Sequence, residues 1–191
     1  MQLAHCRQSL AAIPLPHEAR GRGLLKSGED DMAQNFFLRL ADIDGECQIT
    51  GHAKEIQALS WSHSFNQPTS PTRSAGGTVE QANHADFSFT KYTDAASVPM
   101  LKRCWSGKPI ATAVFTACRS DGDALVEYLK VEMSNAIISN VSLGGGAGDM
   151  PVETVTLSYS AVRYTYAFQA TPGSRTTPLS SKHDIALMKV E

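Results

Sequence analysis

Residues 58 to 65 alternate without a break between two kinds of side chain. Successive side chains of a β-strand point to opposite faces, so this alternation predicts a strand with two unlike surfaces. One face can anchor a hydrophobic core, whereas the other is small, uncharged and rich in hydroxyl groups. The core face would carry Leu59, Trp61, His63 and Phe65, and the other face Ala58, Ser60, Ser62 and Ser64.

A second stretch near the end of the chain repeats this pattern. This stretch predicts a single long strand over 152–168, in which apolar and hydroxyl residues alternate. The alternation changes phase near Ser160-Ala161, which predicts one extra residue there, a β-bulge. The hydroxyl positions of this stretch are Thr154, Thr156, Ser158 and Ser160.

Most of the remaining chain also has the pattern of strands, separated by turns and by a polar loop over 66–80, without a βαβ rhythm. These features predict a mainly β fold: a small antiparallel β-barrel or sandwich with one short α-helix packed against it. Strands are expected at 36–43, 86–92, 110–118, 124–133, 136–143 and 184–190, with a Pro/Ser/Thr linker at 169–181.

The helix is predicted between Ser97 as its N-cap and Gly107 as its C-terminal stop, with Pro99 in the first turn. One helical face is largely apolar and is expected to cover the end or side of the barrel, whereas Lys102 and Arg103 would point to solvent. The apolar face comprises Met100, Leu101, Cys104 and Trp105.

The chain divides by composition into two parts. Residues 1–31 are rich in Arg, Gly and Pro and show no periodicity, so we expect a disordered extension, followed by one domain over 32–191. Residues 28–31 can be encoded by a purine-rich stretch that resembles a ribosome-binding site. We therefore hypothesise that Met32 is the natural start and that 1–31 is not native.

Charge and cysteine content argue against several classes of protein. The net charge is −2, so the basic excess typical of nucleic-acid binding is missing. The four cysteines form no Cys-x-x-Cys pair, which favours free or buried thiols in a reducing compartment. No apolar run approaches the length of a transmembrane helix, and the N-terminus makes a poor signal peptide.

The sequence offers little that predicts catalysis or metal binding. His52, His63, His84 and His183 lack metal-ligand spacing, and His63 is expected to be a hydrogen-bonded core residue. His183 and Asp184 are strand neighbours that point to opposite faces, so they are poorly placed to act together. The glycine run 144–148 is typical of a hairpin turn. Solvated faces or inter-subunit pairs best explain Glu127, Glu132 and Glu153.

Several short stretches occur in an order that carries a resemblance to a known family. They are His52-Ala53-Lys54-Glu55-Ile56 with Leu59-Ser60-Trp61-Ser62, Phe87-Ser88-Phe89-Thr90-Lys91-Tyr92-Thr93-Asp94, Cys104-Trp105-Ser106-Gly107-Lys108, Val126-Glu127-Tyr128-Leu129, Ile138-Ser139-Asn140-Val141-Ser142 and Pro151-Val152-Glu153-Thr154-Val155-Thr156-Leu157-Ser158-Tyr159. The chain thus resembles the Hcp (haemolysin-coregulated protein) family over 32 to about 166. Residues 1–31 have no counterpart there, and His183 stands where the family commonly has an aromatic residue, which leaves the docking of the last strand open.

The resemblance implies a structural protein without catalytic residues, cofactor or metal. Family members assemble as homo-hexameric rings that stack into a tube, which the bacterial type VI secretion system fires within a contractile sheath, behind a VgrG-type spike protein. Small effector proteins travel inside. The chain would then be cytoplasmic until secreted without a signal peptide, with no membrane insertion. Lumen candidates are Ser60, Ser62, Ser64, Thr156 and Ser158, and candidates for a ring-assembly loop are Pro68, Pro71, Arg73, Gly76 and Gly77.

Two alternatives stay open from the residues themselves. A monomeric β-barrel could carry a small ligand in its own interior, and its particle mass would distinguish it from a ring. A hydrolase would need a nucleophile and a base, for which the sequence shows no motif such as Gly-x-Ser-x-Gly.

Overall fold

The computed structural model describes residues 34–68, 82–121, 124–171, 174–175 and 177–191. The expectations for 1–31, and for Pro71, Arg73, Gly76 and Gly77, lie outside these ranges. The described helix is α1 (Ser97–Ser106). The described strands are β1 (Gln34–Leu40), β2 (Ile56–Ala58), β3 (Ser60–Ser62), β4 (Phe65–Asn66), β5 (Asn83–His84), β6 (Phe87–Tyr92), β7 (Ile110–Asp121), β8 (Ala124–Gly144), β9 (Val152–Ser158), β10 (Ala161–Tyr166), β11 (Gln169–Thr171), β12 (Ser174–Arg175), β13 (Leu179–Asp184) and β14 (Lys189–Val190).

The strand β8 is the centre of the topology because three strands pair with it. The strand β7 runs antiparallel to its first part. On its other edge, β10 pairs with residues 129–134 and β9 with residues 137–144. The predicted strands 124–133 and 136–143 are thus one continuous strand. Asn135, at φ 51°, lies where the pairing passes from β10 to β9, in a conformation that asparagine tolerates better than most residues.

The pairings lead around the core in a barrel-like path. The strand β1 pairs with β7 on one side and with β2 on the other. After the single residue Leu59 the same segment becomes β3, which pairs with β6, and β6 pairs with β9. A mainly β, antiparallel fold with one helix is confirmed.

The inner faces of these strands form one core. Phe87, Phe89, Phe115, Met133 and Leu157 are buried there at 1% exposure or less. Trp61 is half-buried and packs its ring 4.9 Å from that of Phe115. Side chains of this size contribute about 1.5–3 kcal/mol each when fully buried, so their burial stabilises the sheets. The space between these strands is therefore filled by side chains.

The predicted long strand over 152–168 is instead two strands. Tyr159 and Ser160 interrupt it, and the Ser160 amide and hydroxyl both donate to the Ser134 carbonyl at 3.1 Å. The change of phase between β9 and β10 is confirmed, but its cause is this interruption. The bulge lies in the partner strand, between Ile138 and Asn140.

The helix begins and packs differently from the prediction. Ala96 is the N-cap, and Ser97 is the first helical residue. Of the predicted apolar face, Met100 is fully buried, but Trp105 is 80% exposed. The guanidinium group of Arg103 is 18% exposed and lies 3.5 Å from the Asp42 carboxylate, so it does not point freely to solvent. Gly107 ends the helix at φ 60°, as predicted.

The C-terminal segment is more strand than the sequence indicated. The strand β13 pairs antiparallel with β10 over six residues, placing His183 opposite Val162. A turn over 185–188 leads to β14, which pairs back onto β13. Much of the predicted linker 169–181 thus belongs to β11, β12 and β13, and the predicted strand 184–190 is mostly a turn.

Candidate functional site: a hydroxyl-bearing sheet face

The two hydroxyl-rich stretches of the sequence lie on one sheet because β6 bridges them. Ser60 pairs with Thr90, which pairs with Thr154, and Ser62 pairs with Ser88, which pairs with Thr156. Directly opposed residues of antiparallel strands point to the same side. We call the polar part of this side the hydroxyl face; it comprises Ser60, Ser62, Ser88, Thr90, Asn140, Ser142, Thr154, Thr156 and Ser158. By the same pairing, the exposed side chains of Tyr92 and Val152 lie at one end of this face, and exposed Ile137 lies opposite Ser158 at the other end.

The hydroxyl face is accessible and neutral. None of its side chains is buried, and Ser60, Ser62, Asn140 and Ser142 are exposed. The hydroxyl groups of Ser60 and Thr90 hydrogen-bond to each other at 2.7 Å. None of its members carries a charge, so it can hold water but offers neither a strong base nor an anchor for a charged ligand.

The predicted lumen residues are brought together only in part. Ser60, Ser62 and Thr156 lie side by side in the ladder, and Ser158 lies at its end opposite Ile137. Ser64 is exposed but follows the end of β3, and its carbonyl accepts a hydrogen bond from Ala85. Pro68, the described member of the ring-assembly candidates, is half-buried just after β4.

Sequence reasoning missed four members of the hydroxyl face. The signal for Ser88 and Thr90 was present, since they alternate with Phe87 and Phe89. Asn140 and Ser142 were harder to find, because the bulge in β8 shifts the register between Ile138 and Asn140. The other missing step was the pairing of both stretches with β6, which no local pattern specifies.

The opposite side of the same ladder holds a buried ion pair. The Lys91 ammonium lies 3.0 Å from the Glu153 carboxylate and 2.8 Å from that of Asp94, and both Lys91 and Glu153 are fully buried. The Lys91 ammonium also donates to Ser97 Oγ and to the Tyr92 carbonyl. The expectation that Glu153 lies on a solvated face is wrong. The pair fixes the start of α1 against β6 and β9.

A second group of titratable residues forms a hydrogen-bonded chain, the His–Tyr chain, comprising Tyr164, His63, Tyr159, His84 and His183. The His63 ring is bonded through Nδ1 to the Tyr164 hydroxyl at 2.5 Å and through Nε2 to the Tyr159 hydroxyl at 2.6 Å. The Tyr159 hydroxyl also contacts His84 Nδ1 at 3.1 Å, and His84 Nε2 lies 2.7 Å from His183 Nδ1.

Burial controls the protonation of this chain. Desolvation lowers the pKa of His63 to about 4 and also lowers the pKa of His84, where the neighbouring His183 adds to the effect. Burial raises the pKa of Tyr164 to about 12. The prediction of a hydrogen-bonded core role for His63 is confirmed.

A third group resembles the nucleophile, base and carboxylate of a cysteine hydrolase. Cys118 Sγ lies 3.5 Å from His52 Nε2, and His52 Nδ1 lies 2.8 Å from the Glu55 carboxylate. However, Cys118 is 0% exposed, and burial raises its thiol pKa to about 12. Since the thiolate is the reactive form, this arrangement is suited to packing and not to attack. Cys47 is also a free, buried thiol.

Other binding features are modest. Among the residues that the structure describes, no group of three or more His, Cys, Asp or Glu side chains could hold a metal ion. No helix in the described part of the chain has the length and apolar character needed to cross a membrane. A surface cleft of about 500 Å³ is lined by residues that include Phe36, Glu46, Leu59 and Tyr92, and it lies outside the packed core.

Comparison with known proteins supports one assignment. Residues 37–166 match the family model described as type VI secretion system effector, Hcp. The chain is 35% identical over 145 residues to protein hcp1 of Pseudomonas aeruginosa, covering 75% of this chain and 90% of that protein.

Solved structures agree with the sequence comparison. The crystal structure of Hcp1 from Salmonella typhimurium has a TM-score of 0.71 and 30% identity, covering 84% of this chain and all of that one. A type VI secretion system effector from Yersinia pestis has a TM-score of 0.63 and 26% identity, covering 78% and 98%. This chain therefore belongs to the Hcp family of type VI secretion system effectors.

Proposed function

We propose that this chain is the tube subunit of a type VI secretion system. Six copies associate head to tail in a closed ring, and rings stack into a tube that is secreted without a signal peptide. A heterologous contact of this kind closes into a ring when its rotation divides a full turn evenly. The VgrG-type spike protein and the contractile sheath are the partners expected from family membership.

The observation that supports this proposal is the hydroxyl face. It runs across four strands, from β3 through β6 and β9 to β8, and carries no charged member. Tyr92 and Val152 border this face at one end and Ile137 at the other, and the small neutral polar groups between them stay hydrated and give a passing protein little apolar surface to adhere to. Such a surface suits the lining of a channel, where Ser60, Ser62, Thr156 and Ser158 would contact small effector proteins.

A role in catalysis has less support. The Cys118, His52 and Glu55 arrangement is the nearest approach to catalytic geometry, and its thiol is buried and protonated. We therefore propose a structural protein without enzymatic activity. An esterase and protease screen against wild type and Cys118→Ala tests this, because activity that disappears in the variant would contradict it.

The alternative of a monomeric ligand carrier also has less support. A carrier needs an interior cavity, but Phe87, Phe89 and Phe115 fill the space between the strands. The described clefts lie at the surface. A ligand of drug size would have no enclosed apolar pocket in the described part of the chain to occupy.

Size-exclusion chromatography with light scattering, followed by negative-stain microscopy, tests the proposal. We expect particles of six chains with a central hole, and short stacks at high concentration. The chain from Met32 onward, without residues 1–31, serves as a matched comparison because the extension could block stacking. A protein that stays monomeric in both forms up to high concentration would contradict the tube.

The ring-assembly loop is a separate part of this proposal. Pro68, Pro71, Arg73, Gly76 and Gly77 belong to a connection long enough to reach a neighbouring subunit or ring. Deleting residues 68–78 should weaken ring formation or stacking in the same experiment. Unchanged assembly would count against the loop without affecting the hydroxyl face.

A further inference from the structure

We propose that His84 and His183 form a proton-operated tie that holds the β4–β5 hairpin to the C-terminal strand β13 and releases it when both imidazoles are protonated. This inference does not depend on ring formation, because the tie lies within one chain. Its basis is the geometry of the His–Tyr chain and the small size of the hairpin that the chain holds.

The β4–β5 hairpin is too small to be stable by itself. It has two register pairs, Phe65 with His84 and Asn66 with Asn83. Two-stranded hairpins are marginal in water even when they are longer. The hairpin follows the β3–β6 pairing and is joined to it by the Ala85 amide, which donates to the Ser64 carbonyl at 3.0 Å. Beyond this link its position depends on side-chain contacts, chiefly the Phe65 ring against those of His63, His84 and Tyr164 at 4.4–5.7 Å.

The His84–His183 hydrogen bond is the contact that joins this hairpin to β13. At 2.7 Å between His84 Nε2 and His183 Nδ1, one nitrogen must donate a proton and the other must accept it. With all rings neutral, every bond of the His–Tyr chain can be satisfied in one direction. Tyr164 donates to His63, His63 to Tyr159, Tyr159 to His84, and His84 to His183.

The first proton does not break the tie, but the second one does. If one of the two imidazoles is charged, it still donates to the lone pair of its neutral neighbour. When both are charged, the two facing nitrogens carry hydrogens, no lone pair is left between them, and the like charges repel. Release therefore needs two protons and should depend steeply on pH.

The surroundings do not neutralise this charge. His84 is packed by Phe65 and by the Tyr159 hydroxyl, and His183 lies between Val162 on β10 and Val190 on β14. Within the described part of the chain, neither imidazole is hydrogen-bonded to a carboxylate. Asp86 acts through space on His63 and accepts a hydrogen bond from Ser139, and Asp184 accepts from the Leu187 amide, so neither carboxylate bonds to His84 or His183.

His63, the third histidine of the His–Tyr chain, keeps its hydrogen bonds in mild acid. Burial lowers the pKa of His63 to about 4, so at pH 5 it stays neutral and still bridges Tyr159 and Tyr164. The pKa of His84 is also lowered, chiefly by burial and further by the neighbouring His183, so the tie is still intact at the ordinary imidazole pKa and is released only when the pH falls further. The ladder between β10 and β13, with six register pairs, should persist.

Hydrogen exchange read by mass spectrometry tests the tie. Wild-type protein is compared at pH 7.5 and pH 5.0, with EDTA present and with intrinsic exchange rates corrected. We expect protection in peptides covering 63–67 and 82–86 to fall about tenfold at pH 5.0, while peptides from β8 and β10 stay protected. Unchanged protection in the hairpin at pH 5.0 would overturn the proposal.

Two variants separate the tie from general acid effects. His183→Phe keeps an aromatic ring but cannot titrate, and His183→Gln can still hydrogen-bond without titrating. In both, hairpin protection should become nearly independent of pH. Lys189→Gln changes the charge of β14 but keeps the His84–His183 hydrogen bond, so its hairpin protection should fall in acid as in wild type. A full acid response in both His183 variants would show that another group is responsible.

Histidine ring resonances provide a measurement that does not require the variants to fold well. In wild type, the ring resonances of His84 and His183 should change with pH together and not independently, because a proton on one ring alters the hydrogen bond and the charge that the other ring experiences. Independent titration of both rings near their ordinary pKa would contradict the geometry.

Discussion

Single residues of this protein show that similar side chains differ in role according to the pairing around them. Lys91 and Lys130 are both strand lysines within 3.0 Å of a glutamate. Lys91 is fully buried with Glu153, whereas Lys130 and Glu132 are 41% and 34% exposed. A buried pair is costly to break because the partner that remains keeps an uncompensated charge.

Substitution of Lys91 by Met should therefore destabilise the fold strongly. We expect a loss of about 3–5 kcal/mol in the free energy of unfolding, measured by urea denaturation, since the Glu153 carboxylate would be left buried and unpaired. The matched control Lys130→Met, in a partly exposed pair, should cost less than about 1 kcal/mol. Equal losses in the two variants would contradict this account of the buried pair.

The cysteines provide a second comparison at the residue scale. Cys118 is fully buried with a thiol pKa raised to about 12, whereas Cys104 is half-buried on α1. Alkylation by iodoacetamide requires the thiolate and access to it. At pH 8, Cys104 should be labelled well before Cys118, as read by peptide mass spectrometry. Rapid labelling of Cys118 in folded protein would show that the core opens around this thiol. Labelling of Cys118 in protein unfolded by urea is the positive control.

At the scale of elements, the hydroxyl face depends on β6 more than on either stretch that first indicated it. The strand β6 places Ser88 and Thr90 between the serines of β3 and the threonines of β9, and it directs Phe87 and Phe89 into the core. The same alternation thus builds the inside of each protomer and the surface that we propose lines a channel. A change on the outer side should spare the core.

Substitution of Ser62 by Gln tests this separation. Ser62 is exposed in β3, so the longer amide should leave stability and ring formation unchanged but should alter the retention of small effectors, by crowding the proposed channel wall. Light scattering measures ring formation, and co-purification measures the retention of small effectors. Ser180→Gln, on exposed β13, is the matched control and should change neither. If Ser62→Gln abolished ring formation, the assignment of Ser62 to the lumen would be wrong.

At the scale of the whole molecule, the sheets and the C-terminal segment meet at the His–Tyr chain. His63 follows β3, Tyr159 joins β9 to β10, and His183 lies on β13. Burial of the neutral His63 ring stabilises the fold only while the ring stays neutral. The global stability of the protein should therefore depend on pH in the acid range.

The direction of that dependence follows from the two protonation states. The unfolded chain takes up a proton on His63 near pH 6.5, whereas the folded protein does so near pH 4. Stability should be full above pH 6.5 and should decrease by about 1–2 kcal/mol toward pH 4, allowing for partial solvent screening. Urea denaturation at several pH values measures it. His63→Gln should show a shallower dependence, and an identical slope would point to other groups.

The sequence was sufficient for local properties. Alternation at 60–62 and 152–158 predicted which side chains share a face, and Ser60, Ser62 and Thr156 are indeed accessible members of one surface. The same prediction is wrong for Leu59 and Phe65, which were expected in the core but are 44% and 48% exposed, because the stretch 58–65 is divided among β2, β3 and β4. Gly107 ended the helix as predicted, because only its immediate backbone decides that conformation. Family membership was also predictable, since it depends on short motifs in order.

Properties that depend on distant segments were not predictable. The sequence misplaced Trp105 in the core and Glu153 in solvent, and it divided β8 into two strands. It contained all members of the His–Tyr chain, but His63 and Tyr164 are 101 residues apart. The two-residue period of a strand is a property of its own backbone, so the sequence alone determined which residues share a face within each uninterrupted strand, such as β9. Strand pairing, together with the burial and hydrogen bonds that result from it, depends on which segments meet, and only the tertiary structure decided that.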